Sequence, residues 1–183
     1  MLAACHIATA LQSVVARNVR ASDTAVLSVT RVVAGDAYNV IPQSATLSGT
    51  ARAFKTEVMS VLEQGLRRVA EGVAAGLGAS AAVDFRLIFA QLHNDPQLTQ
   101  VYADTASELV GDESVDRDKA PAMGSEDFAF MMEKVPGAYI VTGNGEGAQP
   151  HNPRYNYNDE ATPFGAALFA RVVERQMPRG ALE

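Results

Sequence analysis

The chain has 183 residues, 48% of them hydrophobic and 20% charged, the balance of a globular protein with room for one ordinary domain or two small ones. Fifteen Lys and Arg against 21 Asp and Glu leave a formal charge of −6, and no basic stripe of the kind a phosphate backbone requires is present, so nucleic acid is a poor partner. No apolar run approaches the roughly 18 residues of a membrane span, and the opening Met1-Leu2-Ala3-Ala4-Cys5-His6-Ile7 does not read as a signal peptide.

Residues 2–15 place Leu2, Ile7, Leu11, Val14 and Val15 near helical spacing, so the chain is expected to begin directly inside an amphipathic helix, with no capping residue before it. Residues 24–33 are rich in β-branched side chains and predict a strand. A loop containing Gly35-Asp36-Ala37-Tyr38-Asn39 and Pro42 follows. Residues 45–54 alternate, with Thr46, Ser48, Thr50 and Arg52 on one face and Ala45, Leu47, Gly49, Ala51 and Ala53 on the other, which predicts a second strand with a polar face. Residues 56–77 predict a helix whose apolar stripe holds Val58, Val61, Leu62, Leu66, Val69, Val73 and Leu77. Residues 82–89 return to period two and predict a third strand. Helix, strand, strand, helix, strand becomes a ferredoxin-like sandwich once a strand is added in front, and a truncated N-terminus is therefore expected.

His93-Asn94-Asp95-Pro96 combines turn formers with a proline suited to a first helical turn, which predicts domains over 1–90 and 91–183. The second is expected to hold a helix over 96–110, a solvated acidic loop over 111–119, a short helix starting at Ser125, a buried strand over 138–142, a long irregular loop over 143–158 and a final helix over 160–176.

That long loop carries His151 between Pro150 and Pro153. Loops of this length in a compact domain are more often functional than not. Two prolines would pre-position an imidazole for a metal, although a histidine in a rigid surface loop fits the same sequence. Asn158 and Asp159 can orient the histidine or cap the last helix. Ser125, in Gly124-Ser125-Glu126-Asp127-Phe128, can cap a helix or mark an anion site. Arg52 can grip a carboxylate through two parallel hydrogen bonds, or simply be a solvated strand-end residue. Cys5 and His6 are helical neighbours about 100 degrees apart and make poor partners for one metal. With Cys5 as the only cysteine no intramolecular disulfide can form, which fits a reducing cytoplasm.

Four segments taken together, Gly35-Asp36-Ala37-Tyr38-Asn39-Val40-Ile41-Pro42, Gly49-Thr50-Ala51-Arg52-Ala53-Phe54, Met123-Gly124-Ser125-Glu126-Asp127-Phe128 and His151-Asn152-Pro153 with Asn158-Asp159-Glu160, resemble the amidohydrolase family of hippurate hydrolases, N-acyl-amino-acid hydrolases (aminoacylases) and auxin-conjugate hydrolases. The resemblance implies an α/β (α+β) protein. A ferredoxin-like lid, lacking its first strand and normally the dimerisation domain, would precede the C-terminal part of a metallo-exopeptidase-type catalytic domain. It implies a pair of divalent metal ions, zinc, manganese or similar, in the complete enzyme. His151 would be the last metal ligand, and Asn39, Arg52, Gly124, Ser125 and Glu126 would contact an N-acyl amino acid, with the arginine on its carboxylate. The Cys-Gly-His-Asp type motif, the tandem glutamates and the second histidine ligand have no counterpart in these 183 residues. The general base belongs to the unmatched half, and Glu126 does not replace it. The expectation is therefore a hydrolase fragment, inactive alone, that pairs through its lid or associates with the upstream half. A non-catalytic dimerisation module and a carboxylate-binding protein are the alternatives.

Overall fold

The computed structural model describes residues 1–177; positions 178–183 of the expected second domain lie outside them. The chain divides into two compact units, Met1–Gln91 and Leu92–Glu183.

In the first unit, α1 (Leu2–Ala10) and α2 (Gln12–Asn18) meet at Leu11, which keeps right-handed helical angles (φ −59, ψ −24). The single helix expected over 2–15 is thus present, with one irregular position, and runs on to Asn18. β1 (Ala25–Val33) and β2 (Thr46–Ala53) form an antiparallel pair, and α3 (Thr56–Gly76) follows. The core joins Ile7, Leu11 and Val14 to Leu27 of the sheet and to Leu62, Ala70 and Ala74 of α3. Leu47, Ala51 and Ala53 pack against this cluster from β2, as the alternation predicts, while Thr46, Ser48 and Thr50 on the opposite face are exposed.

The buried stripe of α3 is narrower than its sequence suggests. A Cβ at Gly65 would lie 2.7 Å from Cγ1 of Val14. That close approach turns the small residues Gly65, Ala70 and Ala74 inward, and it leaves Val61 and Leu77 exposed.

The pairing of β1 with β2 skips one residue. Val29 opposes Gly49 and Arg31 opposes Ser48, so Thr30 is an extra residue, a β-bulge. Gly49 is required at this point because a Cβ there would strike the Ser28 carbonyl and crowd the Val29 Cα. Past the bulge, Arg31 lies on the side of Ser48, Thr50 and Arg52.

The third strand expected over 82–89 is not formed; the sheet has two strands. The period survives only in the first half, where Val83 and Phe85 are half-buried and Asp84 and Arg86 exposed; Leu87 and Phe89, expected on the inner face, are exposed. Arg67 donates from Nη1 to the Val83 carbonyl at 2.7 Å, and Val83 packs on the core. What is missing is a ladder, since no described strand lies beside the segment. A ferredoxin-like sheet would set its first strand there.

In the second unit, α4 (Pro96–Val110) opens as its sequence predicts. Asp95 Oδ1 accepts the Leu98 N–H at 2.9 Å, and Pro96 occupies the first turn, where no N–H is needed. Arg117 folds the acidic loop back onto α4, pairing with Asp104 (2.8 Å) and Asp112 (3.2 Å) and donating to the Ser107 hydroxyl (2.9 Å). α5 is short (Phe128–Met132), and α6 spans Thr162–Gln176 after a 3-10 turn at Asp159–Ala161. α4 and α6 pack around Thr105, which is fully buried. Its hydroxyl donates to the Val101 carbonyl at 2.7 Å and accepts from Arg175 at 3.2 Å.

Two further expectations shift. The helix expected to start at Ser125 begins at Phe128, and no side chain caps it. The buried strand expected over 138–142 is not formed: the segment has no ladder, and only Ala138 in it is buried, Tyr139 and Val141 being exposed. One side chain takes the place of a neighbouring strand. Asn94 Nδ2 donates to the Tyr139 carbonyl at 2.9 Å and its Oδ1 accepts the Tyr139 N–H at 2.8 Å, while the Asp95 N–H donates to the Gly137 carbonyl at 2.9 Å.

Candidate functional site

Each unit presents its own share of the predicted residues. In the first, Arg52 is half-buried near the end of β2, on the polar face of the sheet, and it has interactions there. Asn39 lies in the loop between β1 and β2 and is exposed, beside Tyr38, Val40 and Ile41, which are also exposed. Gly35 opens this loop with a positive φ of +74, which a side chain rarely adopts, and a Cβ there would stand 3.4 Å from the Pro42 ring.

In the second unit, Gly124 and Ser125 are exposed and Glu126 is half-buried just before α5. Glu126 Oε2 accepts the Tyr139 hydroxyl at 3.1 Å, and the Tyr139 ring stands 6.3 Å from that of Phe128. Partial burial, and then the Glu126 carboxylate as acceptor and as charge, push the Tyr139 phenol above its ordinary value. Sequence reasoning had not connected Tyr139 or Asn94 with Glu126. The only local trace was the turn-forming Asn94-Asp95-Pro96, and its partner lies 45 residues away.

His151 sits at the tip of the long loop, in a turn closed by the Asn152 N–H donating to the Gln149 carbonyl at 3.1 Å. It is exposed, and it is the one described residue other than glycine with a positive φ, +70. The loop on either side is pinned by Asn144, whose Nδ2 donates to the Asn156 carbonyl (3.0 Å) and whose Oδ1 accepts the Asn158 N–H (2.8 Å). Asn158 in turn accepts the Glu160 N–H at 3.1 Å, so it caps the turn before α6. An open cavity of about 500 Å³ lies along this loop, with Asn144, Glu146, Arg154, Asn158, Asp159 and Glu160 in its lining.

Among the described residues no group of three or more His, Cys, Asp or Glu side chains could hold a metal ion. A catalytic zinc needs about three protein ligands, and a bridged pair needs more. His151 offers one donor, so the residues present do not fit a metal pair on their own.

The architecture, mixed helix and sheet, is that of the M20 metallopeptidases. It matches the crystal structure of the Bacillus subtilis YXEP protein, a dinuclear metal binding peptidase from the M20 family, with TM-score 0.74 and 34% identity over 94% of this chain and 44% of that one. Residues 3–175 match peptidase family M20/M25/M40, and the chain belongs to that family. It is 37% identical to an N-acetylcysteine deacetylase of Bacillus subtilis (strain 168), over 93% of this chain and 44% of the relative. It is 33% identical to the IAA-amino acid hydrolase ILR1-like 4 of Arabidopsis thaliana (97% and 42%) and 29% identical to the hippurate hydrolase of Campylobacter jejuni (93% and 45%). The chain thus spans somewhat under half the length of the curated relatives it matches. No described helix is long and apolar enough to cross a membrane.

Proposed function

We propose that the chain supplies the lid and the C-terminal part of the catalytic domain of an amidohydrolase that cleaves N-acyl amino acids. The observation that carries this is the conjunction of family membership over residues 3–175 with a histidine held at a positive φ in a pinned loop. Strained backbone of this kind persists where a side chain must be aimed. In this reading the unit Met1–Gln91 is the lid and pairs with a second copy, and Leu92–Glu183 is catalytic. Arg52 grips the carboxylate of the amino acid, Asn39 and the Gly124-Ser125-Glu126 loop line the rest of the substrate, and His151 is one ligand of a divalent metal pair. Bound metals would supply carbonyl polarisation and an activated water. The contribution of this chain is to bind and orient. Cytoplasmic residence fits its single cysteine.

The test is turnover of hippurate and N-acetylcysteine with zinc or manganese, by the 183-residue chain alone and after co-expression with a polypeptide carrying the upstream motifs of the family. The expected result is no turnover alone, turnover on co-expression, and its loss in His151→Ala. Metal-dependent turnover by the chain alone would overturn the division of ligands. A second reading, a carboxylate-binding or dimerisation module without catalysis, is favoured by the lack of a three-ligand cluster among the described residues. Hippurate binding, or dimerisation, with no turnover under any co-expression would establish it.

A further inference from the structure

We infer that Tyr139, itself clamped by Asn94, is a positioning residue that fixes the Glu126 carboxylate for substrate. The substrate half of this inference rests on the reading of Glu126 given above. A glutamate side chain has three rotatable bonds, and left alone it samples many orientations at the start of a helix as short as α5. Here one oxygen is tied down. Oε2 accepts the phenol O–H at 3.1 Å, and the backbone N–H of Phe128 approaches Oε1 at 3.5 Å.

The phenol can hold the carboxylate only if the tyrosine is itself fixed, and its segment has no strand partner. Asn94 answers that need. Its amide donates to the Tyr139 carbonyl at 2.9 Å and accepts the Tyr139 N–H at 2.8 Å, the two bonds an antiparallel neighbour would make. The adjoining bond from the Asp95 N–H to the Gly137 carbonyl, at 2.9 Å, extends the clamp. A Cβ at Gly137 would stand in ordinary contact with Met132 at 3.4 Å and with the Phe128 ring at 3.6 Å, so the segment packs against α5 at this point. The Phe128 ring also steadies the Tyr139 ring from the side. Asp95 in turn caps α4, so the clamp is anchored to a long helix rather than to a loose end. A carboxylate has lone pairs and no proton to give. The substrate group that Glu126 meets is therefore a donor, such as the N–H of an acyl-amino acid.

The test uses the full chain with ¹³C-labelled tyrosine rings, the Tyr139 signal being the one lost in Tyr139→Phe. The wild-type phenol is expected to titrate above the free value of about 10, and Glu126→Gln should bring it down toward that value. The Tyr139 amide proton should be protected from exchange, through Asn94, although it lies outside any helix or ladder. Hippurate added to the same samples should shift signals of the 124–128 loop, and Tyr139→Phe should weaken its binding about fivefold, the worth of one ordinary hydrogen bond. A Tyr139 phenol that titrates identically in Glu126→Gln overturns the tie, whatever hippurate does. A phenol that responds to Glu126→Gln, with hippurate producing no shift or binding Glu126→Gln as well as wild type, keeps the tie and overturns the substrate reading of Glu126.

Discussion

His151 shows how much a single residue can reveal. Its φ of +70 is one that a side chain with a Cβ adopts at a cost of about 1–2 kcal/mol. His151→Gly removes that cost and His151→Ala does not. Denaturant unfolding of the isolated chain is expected to place His151→Gly about 1 kcal/mol above His151→Ala, and equal stabilities would mean that the loop relaxes freely. Tyr139 gives a second measurement at this scale. Its folded phenol holds its proton to higher pH than the unfolded one. The stability it contributes is therefore complete below the unfolded value of about 10 and is lost as pH rises through the folded one. Unfolding midpoints followed from pH 8 upward should fall more steeply for wild type than for Tyr139→Phe; parallel curves would show that the phenol titrates alike in both states.

At the scale of elements, helices were legible in the sequence because their period is local. α1 with α2, α3, α4 and α6 all fall where apolar spacing, and for α4 the Asp95 cap, put them, to within a few positions at each end. The strand pair was legible for the same reason. Residues 82–89 and 138–142 were not, because a strand is completed by a neighbour and the neighbour is not in the local pattern. One segment lacks a described partner, and the other is held by Asn94 from 45 residues away. The candidate site divides in the same way. The loop around His151 and the polar face bearing Arg52 could be read from prolines and alternation, whereas the contact between Tyr139 and Glu126 depends on that distant clamp. Glycines in α3 offer a direct check on packing. Gly65 faces Val14 at close range, while a Cβ on Gly72 would meet nothing within 4 Å. Gly72→Ala should stabilise the chain by about 0.5–1 kcal/mol through helix propensity. Gly65→Ala should destabilise it by about 1–3 kcal/mol through overpacking. Urea denaturation of the two variants reads the difference, and equal effects would contradict the tight packing of α2 on α3.

For the whole molecule, the division into Met1–Gln91 and Leu92–Glu183 has a thermodynamic counterpart. The first unit buries Leu62 and Val14 completely in one apolar cluster, whereas the second has the smaller Ala129, Ala138 and Ala161 beside Leu168 and Val172. Two units with separate cores are expected to melt in two steps. Leu62→Ala should cost about 2–5 kcal/mol in one of them only. Calorimetry with Leu62→Ala and with Leu168→Ala distinguishes the steps, and a single transition moved by both variants would show one cooperative body.

The bulge at Thr30 also bears on how a coding sequence can change length. In an ordinary strand, loss of a codon turns every later side chain to the wrong face. Here the register already skips one residue between Val29 and Arg31. An in-frame deletion of codon 30 would leave Arg31 opposite Ser48 and Val32 opposite Leu47, as they are now, and would only straighten the strand. The same deletion at codon 27 or 28 would scramble the faces unless the bulge moved to absorb it. Within β1, tolerance of a lost codon is concentrated at one position, and the polar face that carries Arg31 and Arg52 survives it.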